Sequence, residues 1–245
     1  MTAAVRAELL KQRSIPTTVG LFAGMLGLVL LAVVLHGLGL STESLADADD
    51  QLMVFGRGEF LGALFAALLG AMSVTAEVRH GTIRPTFLVT PDRRRVVAAK
   101  VVVGALIGAG FGLAASALAA AVGAGALDAR AIEVQLDGGD YALLVAGGAA
   151  ASALWGAIGV GVGAVVRDQV PALIGLAAWL LFVEGLFGEN LTDVSKFAPG
   201  TLGMAVSGQE PGTLLAPELS LLLLSLYALA AAVAGSMATT RRDVV

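Results

Sequence analysis

The chain is 245 residues long, with 57% hydrophobic residues, 14% charged residues and a formal net charge of −4. A soluble domain carries about 25% charged residues, so this chain has too few charges to cover a water-exposed surface, and its hydrophobicity also excludes disorder. Cysteine is absent, which excludes disulfides, thiolate metal sites and a cysteine nucleophile.

The N-terminal stretch, residues 1–18, sets Val5, Leu9 and Leu10 among Arg6, Glu8, Lys11 and Arg13. This pattern predicts a short amphipathic helix in the membrane interface, ended at Ser14-Ile15-Pro16 because the residue before proline avoids the α region. The alternative is a basic tail that only orients the first span. Six apolar runs follow that meet the roughly 17–25 residues needed to cross a bilayer: Val19–Leu40, Phe60–Ala76, Val101–Leu127, Tyr141–Val166, Val170–Phe187 and Leu219–Thr239. None alternates with period 2, which argues against a barrel. The first run is too long for a cleavable signal. The expected fold is therefore an all-α membrane protein, one domain over residues 1–245.

The second-to-third connection, Glu77–Lys100, is the most informative segment. Gly81 is placed to end the second span as a C-cap glycine. Thr82 can cap a new helix over Ile83–Val89, with Pro85 in its first turn. Thr90-Pro91-Asp92 repeats the arrangement before the third span. The short helix would show Ile83, Phe87 and Leu88, with Arg84 and Thr86 between them. An exposed apolar helix needs a cover, either lipid headgroups or a partner groove. The acidic stretches 41–57 and 128–140 read as plain solvated connectors. Residues 188–217 are too apolar for an ordinary loop and suggest a re-entrant or interfacial helical pair, with turns at Pro199-Gly200, Ser207-Gly208 and Pro211-Gly212.

Charge settles the expected orientation. Arg6, Lys11, Arg13, Arg79, Arg84, Arg93, Arg94, Arg95, Lys100, Arg167, Arg241 and Arg242 fall on one side, and Arg57, Arg130 and Lys196 on the other, together all 15 Lys and Arg. Thirteen acidic residues oppose five, with Glu184 left inside a span. Both termini and the Glu77–Lys100 loop are thus expected in the cytoplasm, in a plasma-membrane protein.

Chemistry-bearing motifs are missing. There is no Gly-x-x-x-x-Gly-Lys-Ser/Thr loop and no His-Glu-x-x-His pair, no Gly-x-Ser-x-Gly elbow, and no aromatic-basic patch for nucleic acid. Glycines four apart (Gly20 and Gly24; Gly104, Gly108 and Gly112; Gly159 and Gly163) predict close helix packing, within the chain by default. Glu184 stands as the one carboxylate within the spans. It is either a side chain reaching the interface or bonding Asn190 or Trp179, or a gate residue facing a cavity.

Three stretches resemble the membrane permease subunits of type-2 ABC transporters, particularly the actinobacterial type. These are Glu8-Leu9-Leu10-Lys11-Gln12-Arg13-Ser14, then Thr75-Ala76-Glu77-Val78-Arg79-His80-Gly81-Thr82-Ile83-Arg84 continuing to Leu88, Pro91, Arg93, Ala99 and Lys100, and Trp179 followed by Glu184. Pro85 and the Arg93-Arg94-Arg95 triplet vary from that pattern. The resemblance implies that Ile83–Val89 is a cytoplasmic coupling helix docking on a separate ATPase subunit. Glu77, Arg79, Gly81, Thr82, Ile83, Arg84, Phe87 and Leu88 would form the coupling element. Glu184 and Trp179 would be candidate pathway or gate residues. It also implies a second permease chain, identical or different, and ATP and Mg held by the partner ATPase, with no cofactor and no catalysis on this chain. An exporter of hydrophobic or amphipathic cargo fits the apolar spans. The competing readings are an ATP-independent six-helix carrier or channel, and a non-transporting membrane partner or immunity protein.

Overall fold

The computed structural model describes residues 2–210 and 212–241, and within them not the side chains of Arg84, Val89, Glu189, Asn190 and Thr192. Arg242 and Asp243 of the charge pattern, and Pro211 of the Pro211-Gly212 turn, lie outside the described residues. Among the described residues the regular elements are all helices.

Helix α1 (Thr2–Ser14) stops before Pro16, which opens α2 (Pro16–Gly39) at a position where its missing N–H costs nothing. Helices α3 (Ala48–Phe55) and α4 (Arg57–Arg79) meet at Gly56, whose backbone is itself helical. Helix α5 (Ile83–Val89) leads into α6 (Arg93–Ala129), and α7 (Gly138–Val166) returns. Helix α8 (Gln169–Ala178) continues through a π turn, Trp179–Val183, into α9 (Glu184–Asn190). Short helices α10 (Thr192–Ser195) and α11 (Pro199–Val206) precede α12 (Pro217–Arg241). Six helical stretches are long and apolar enough to cross a membrane: Pro16–Gly39, Ala48–Arg79, Arg93–Ala129, Gly138–Val166, Gln169–Gly188 and Pro217–Arg241. All six expected spans are present.

Helices α4, α6 and α7 form the centre, with α2, α8 and α12 around them. Apolar surface gives little drive for helices to associate in lipid, so the close approach of small residues must supply it. A Cβ at Gly163 would stand 2.6 Å from the Ala71 carbonyl oxygen, so only glycine allows that crossing of α7 over α4. Gly104, Gly108 and Gly112 pack in the same way against Gly156, Ser152 and Gly148 on α7. The Gly20–Gly24 pair differs: Gly20 meets nothing and Gly24 only the Phe65 ring edge. The outer helices turn large apolar side chains outward, among them Leu31, Leu35, Ile174, Phe182, Leu222 and Leu229, as a lipid-facing surface does.

The structure corrects several expectations. The second span begins well before Phe60, because the α3–α4 junction carries the helix through Gly56, and Glu59 therefore lies inside it, 2% exposed. Glu184 is not the single carboxylate of the spans. The acidic stretches are not loose connectors: Leu45, Leu52, Phe55, Ile132 and Leu136 join one core cluster. Gln51 stitches the two together, donating from Nε2 to the carbonyls of Leu45 and Glu133 at 2.8 and 2.9 Å and accepting from the Gln135 N–H at 2.9 Å. A periodicity reading counts their charges and passes over the few apolar residues between. The stretch after the fifth span does form helices, and α11 packs back on α4, α7 and α12, burying Leu202, Ala205 and Val206.

Candidate functional site

The arrangement at the basic end begins with α1, whose buried residues are Glu8 and Gln12, while Leu10 is exposed. The expected apolar face is not what docks it. A charge network does. The Lys100 ammonium, 3% exposed, uses all three of its N–H donors: to Glu8 Oε2 at 2.7 Å, Glu77 Oε1 at 2.8 Å and the Ser73 carbonyl at 2.9 Å. Lys11 closes the ring, 2.7 Å from Glu8 Oε1 and 3.0 Å from Glu77 Oε1. Two cations and two carboxylates thus cancel, and α1, α4 and α6 are tied at one point. Burial alone would raise the Glu8 pKa, but Lys100 and Lys11 beside it hold it below the ordinary carboxylate value. Burial alone would lower the Lys11 pKa, but its bonds to Glu8 and Glu77 raise it. Both shifts favour the charged forms of Glu8 and Lys11.

Glu77 lies in the last turn of α4, a few residues before α5 begins at Ile83, and the chain between turns sharply. Gly81, at φ +70°, is the left-handed residue that ends α4, as expected. Thr82 precedes α5, but its hydroxyl reaches back to the Glu77 carbonyl at 3.5 Å instead of capping. The third span starts at Arg93, and Asp92 is its cap, accepting from the N–H groups of Arg94 and Arg95. Thr90 and Pro91 stay outside. Proline at the first helical position was a valid pattern, but Asp92 can satisfy two N–H groups at once.

Within α5 the three apolar residues have different fates. Ile83 is buried, which corrects the expectation that it is displayed. Phe87 is half-buried under Arg93, whose guanidinium carbon lies 5.3 Å from the ring centroid. Leu88 is 83% exposed, the most exposed large apolar side chain among those described. Arg93 Nη1 also donates to the Thr239 carbonyl at 3.1 Å in the last turn of α12, where helix carbonyls attract cations. Arg79 Nη1 reaches Gln169 Oε1 at 3.4 Å, at the start of α8. Helix α5 is therefore linked through its flanks to α1, α6, α8 and α12. The Arg84 side chain lies outside those described.

At the opposite, acidic end, Glu184 is fully engaged. The π turn makes i→i+5 bonds, so residues five apart come onto one face, and the Trp179 indole N–H donates to Glu184 Oε1. The Gly200 and Thr201 N–H groups donate to the two carboxylate oxygens at 2.9 and 3.0 Å. Glu184 thereby caps the N-terminus of α11, which carries a partial positive charge. Asn190, the other expected partner, lies outside the described side chains. Replacing Glu184 with Ala is expected to lower stability by about 0.5–2 kcal/mol, as losing a helix cap does, with Gln between Ala and the parent. Thermal unfolding in detergent checks this, and equal midpoints for Ala and the parent would refute the capping role.

Reading by residue type missed Lys11 and Ser73 as partners, and also Glu59, whose Oε2 accepts from Gln209 Nε2 at 3.4 Å. No protein-family model matches the chain, and no curated protein matches it.

Proposed function

We propose that this chain is the membrane permease subunit of an ATP-driven transporter of the type-2 ABC kind, working as an exporter. In this reading α5 is the coupling helix that docks on a separate ATPase subunit, which binds ATP and Mg. A second permease chain completes the substrate pathway. The basic end and both termini face the cytoplasm, in the cell membrane. The chain itself performs no catalysis.

The observation that supports this most is the pairing of an exposed tip with anchored flanks. Leu88 projects from α5, while Glu77 and Arg93 on either side bind the rest of the molecule. A partner that pushed on Leu88 would move α1, α6 and α12 with it. A lipid-facing helix would need no such linkage. Reconstitution with a phosphate-loop ATPase encoded beside this chain is the direct experiment. A cysteine replacing Leu88 should cross-link to that ATPase, cleanly because the chain has no native cysteine. Absence of ATP-dependent transport in such a reconstitution would overturn the reading.

The same property tests the orientation. A cysteine replacing Ser41 should react with an impermeant maleimide added outside intact cells, and one replacing Arg94 only after permeabilisation. The reverse pattern would place the basic end outside.

A further inference from the structure

At the acidic end, the α3–α4 junction and the loop after α11 line a partly open cavity of about 180 Å³ whose lining includes Met53, Arg57, Phe60, Met204, Gln209 and Glu210. At about 30 Å³ per water this is room for about six waters. It is smaller than the roughly 300–1,000 Å³ of a drug-sized pocket.

The charges on its walls are unusual for this end. Of the three basic residues there, Arg130 is consumed by the Gly37 and Leu40 carbonyls closing α2, and Lys196 lies 3.5 Å from Asp193. Arg57 differs. Among the described residues it has no hydrogen-bond or ion-pair partner, and its Nε is buried without one. Glu210 on the facing loop likewise forms no ion pair among the described residues. Its backbone sits at φ +48°, a region non-glycine residues enter uncommonly, and its carbonyl accepts from the Thr213 and Leu214 N–H groups. Between them Gln209 is held in place, its Nε2 donating to Ser207 Oγ at 2.7 Å and to the buried Glu59.

We propose that this cavity binds a small zwitterionic headgroup of the phosphoethanolamine kind. The anionic group lies on Arg57 and the ammonium on Glu210. The carbon chain rests against Met53, Phe60 and Met204. Arg57 and Glu210 share a cavity without closing on each other, so a ligand carrying both charges in a short span satisfies both. A purely anionic ligand would satisfy Arg57 but face the Glu210 carboxylate, with Glu59 behind Gln209. A neutral apolar ligand would leave the guanidinium desolvated and unpaired, which is costly. The source is either a membrane lipid's headgroup or a free zwitterion. Neither depends on the transport reading.

Native mass spectrometry of delipidated protein tests it by binding alone. Phosphatidylethanolamine should bind more tightly than phosphatidylglycerol. Arg57→Gln should weaken phosphatidylethanolamine binding by about tenfold or more, the scale of one hydrogen bond to a charged group. Glu210→Gln should erase the preference for phosphatidylethanolamine while leaving phosphatidylglycerol bound. Met204→Trp, which fills the cavity and removes no charge, should weaken binding of both and carries the test should Arg57→Gln not fold. Displacement of the lipid by soluble phosphoethanolamine assigns the site to a free zwitterion, and failure to displace assigns it to the lipid headgroup. Equal binding of the two lipids by the parent, or variants indistinguishable from it, would overturn the proposal.

Discussion

Lys100→Met is expected to be the most damaging single substitution at the basic end. It leaves Glu8 and Glu77 facing one another where Lys100 Nζ now stands 2.7 and 2.8 Å from them. Removing one partner of a buried ion pair costs about 3–5 kcal/mol, because the remaining charge stays desolvated. Lys11 offsets part of this, but its side chain is 39% exposed, and an exposed cation is screened by water. The expected result is a lowered unfolding midpoint in detergent, with α1 released and cleaved by protease after Arg13. The triple variant Glu8→Gln, Glu77→Gln, Lys100→Met should recover much of the loss, since no buried charge is then unpaired. Because Glu8 is held below its ordinary value, its contribution is complete above the usual carboxylate value of 4.5 and disappears as pH falls through the lowered value. Protease release of α1 from the parent should therefore appear only in acid. A Lys100→Met protein as stable as the parent would show that the network orders nothing.

How far the sequence was readable depended on the period of the feature. Apolar runs of about 20 residues are long-range averages, and the six spans survive an error of several residues at each end. The Gly81 turn was also readable, since a single glycine between a helical run and a capping residue has few other uses. The charge network was not, although its members stood in view. Lys100 follows Val96-Val97-Ala98-Ala99 and precedes Val101-Val102-Val103. A lysine so surrounded by apolar residues on a helix is placed to be buried, and a buried ammonium must be paired. That signal points to pairing but not to the partner, which lies 92 residues away in Glu8. Glu59 was lost for a different reason. The apolar run starts at Phe60, one residue after it, so Glu59 falls to the loop, whereas Gly58 and Gly62 beside it are places where α4 touches α6 closely. Glycine in a lipid-spanning helix is a packing residue before it is a turn residue.

Leu88→Asp is expected to abolish ATP-driven transport while leaving the fold untouched. At 83% exposure, Leu88 contributes almost nothing to the isolated chain, so an added carboxylate there stays in water. Against an apolar groove on an ATPase subunit the same carboxylate would be buried without a partner. An interface hot spot costs about 2 kcal/mol or more when lost, which is roughly 30-fold in affinity. Phe87→Asp should also block transport, but it removes the ring beneath Arg93 and so disturbs the tie from α5 to α12 as well. The two variants therefore separate docking from transmission. Leu88→Asp should weaken ATPase binding with an unchanged unfolding midpoint, whereas Phe87→Asp should lower the midpoint too. Leu88→Met, which keeps an apolar side chain of similar volume, should retain both binding and transport. If Leu88→Asp assembles with the ATPase and transports at the parent rate, α5 is not the docking element, and its exposed tip faces lipid headgroups instead.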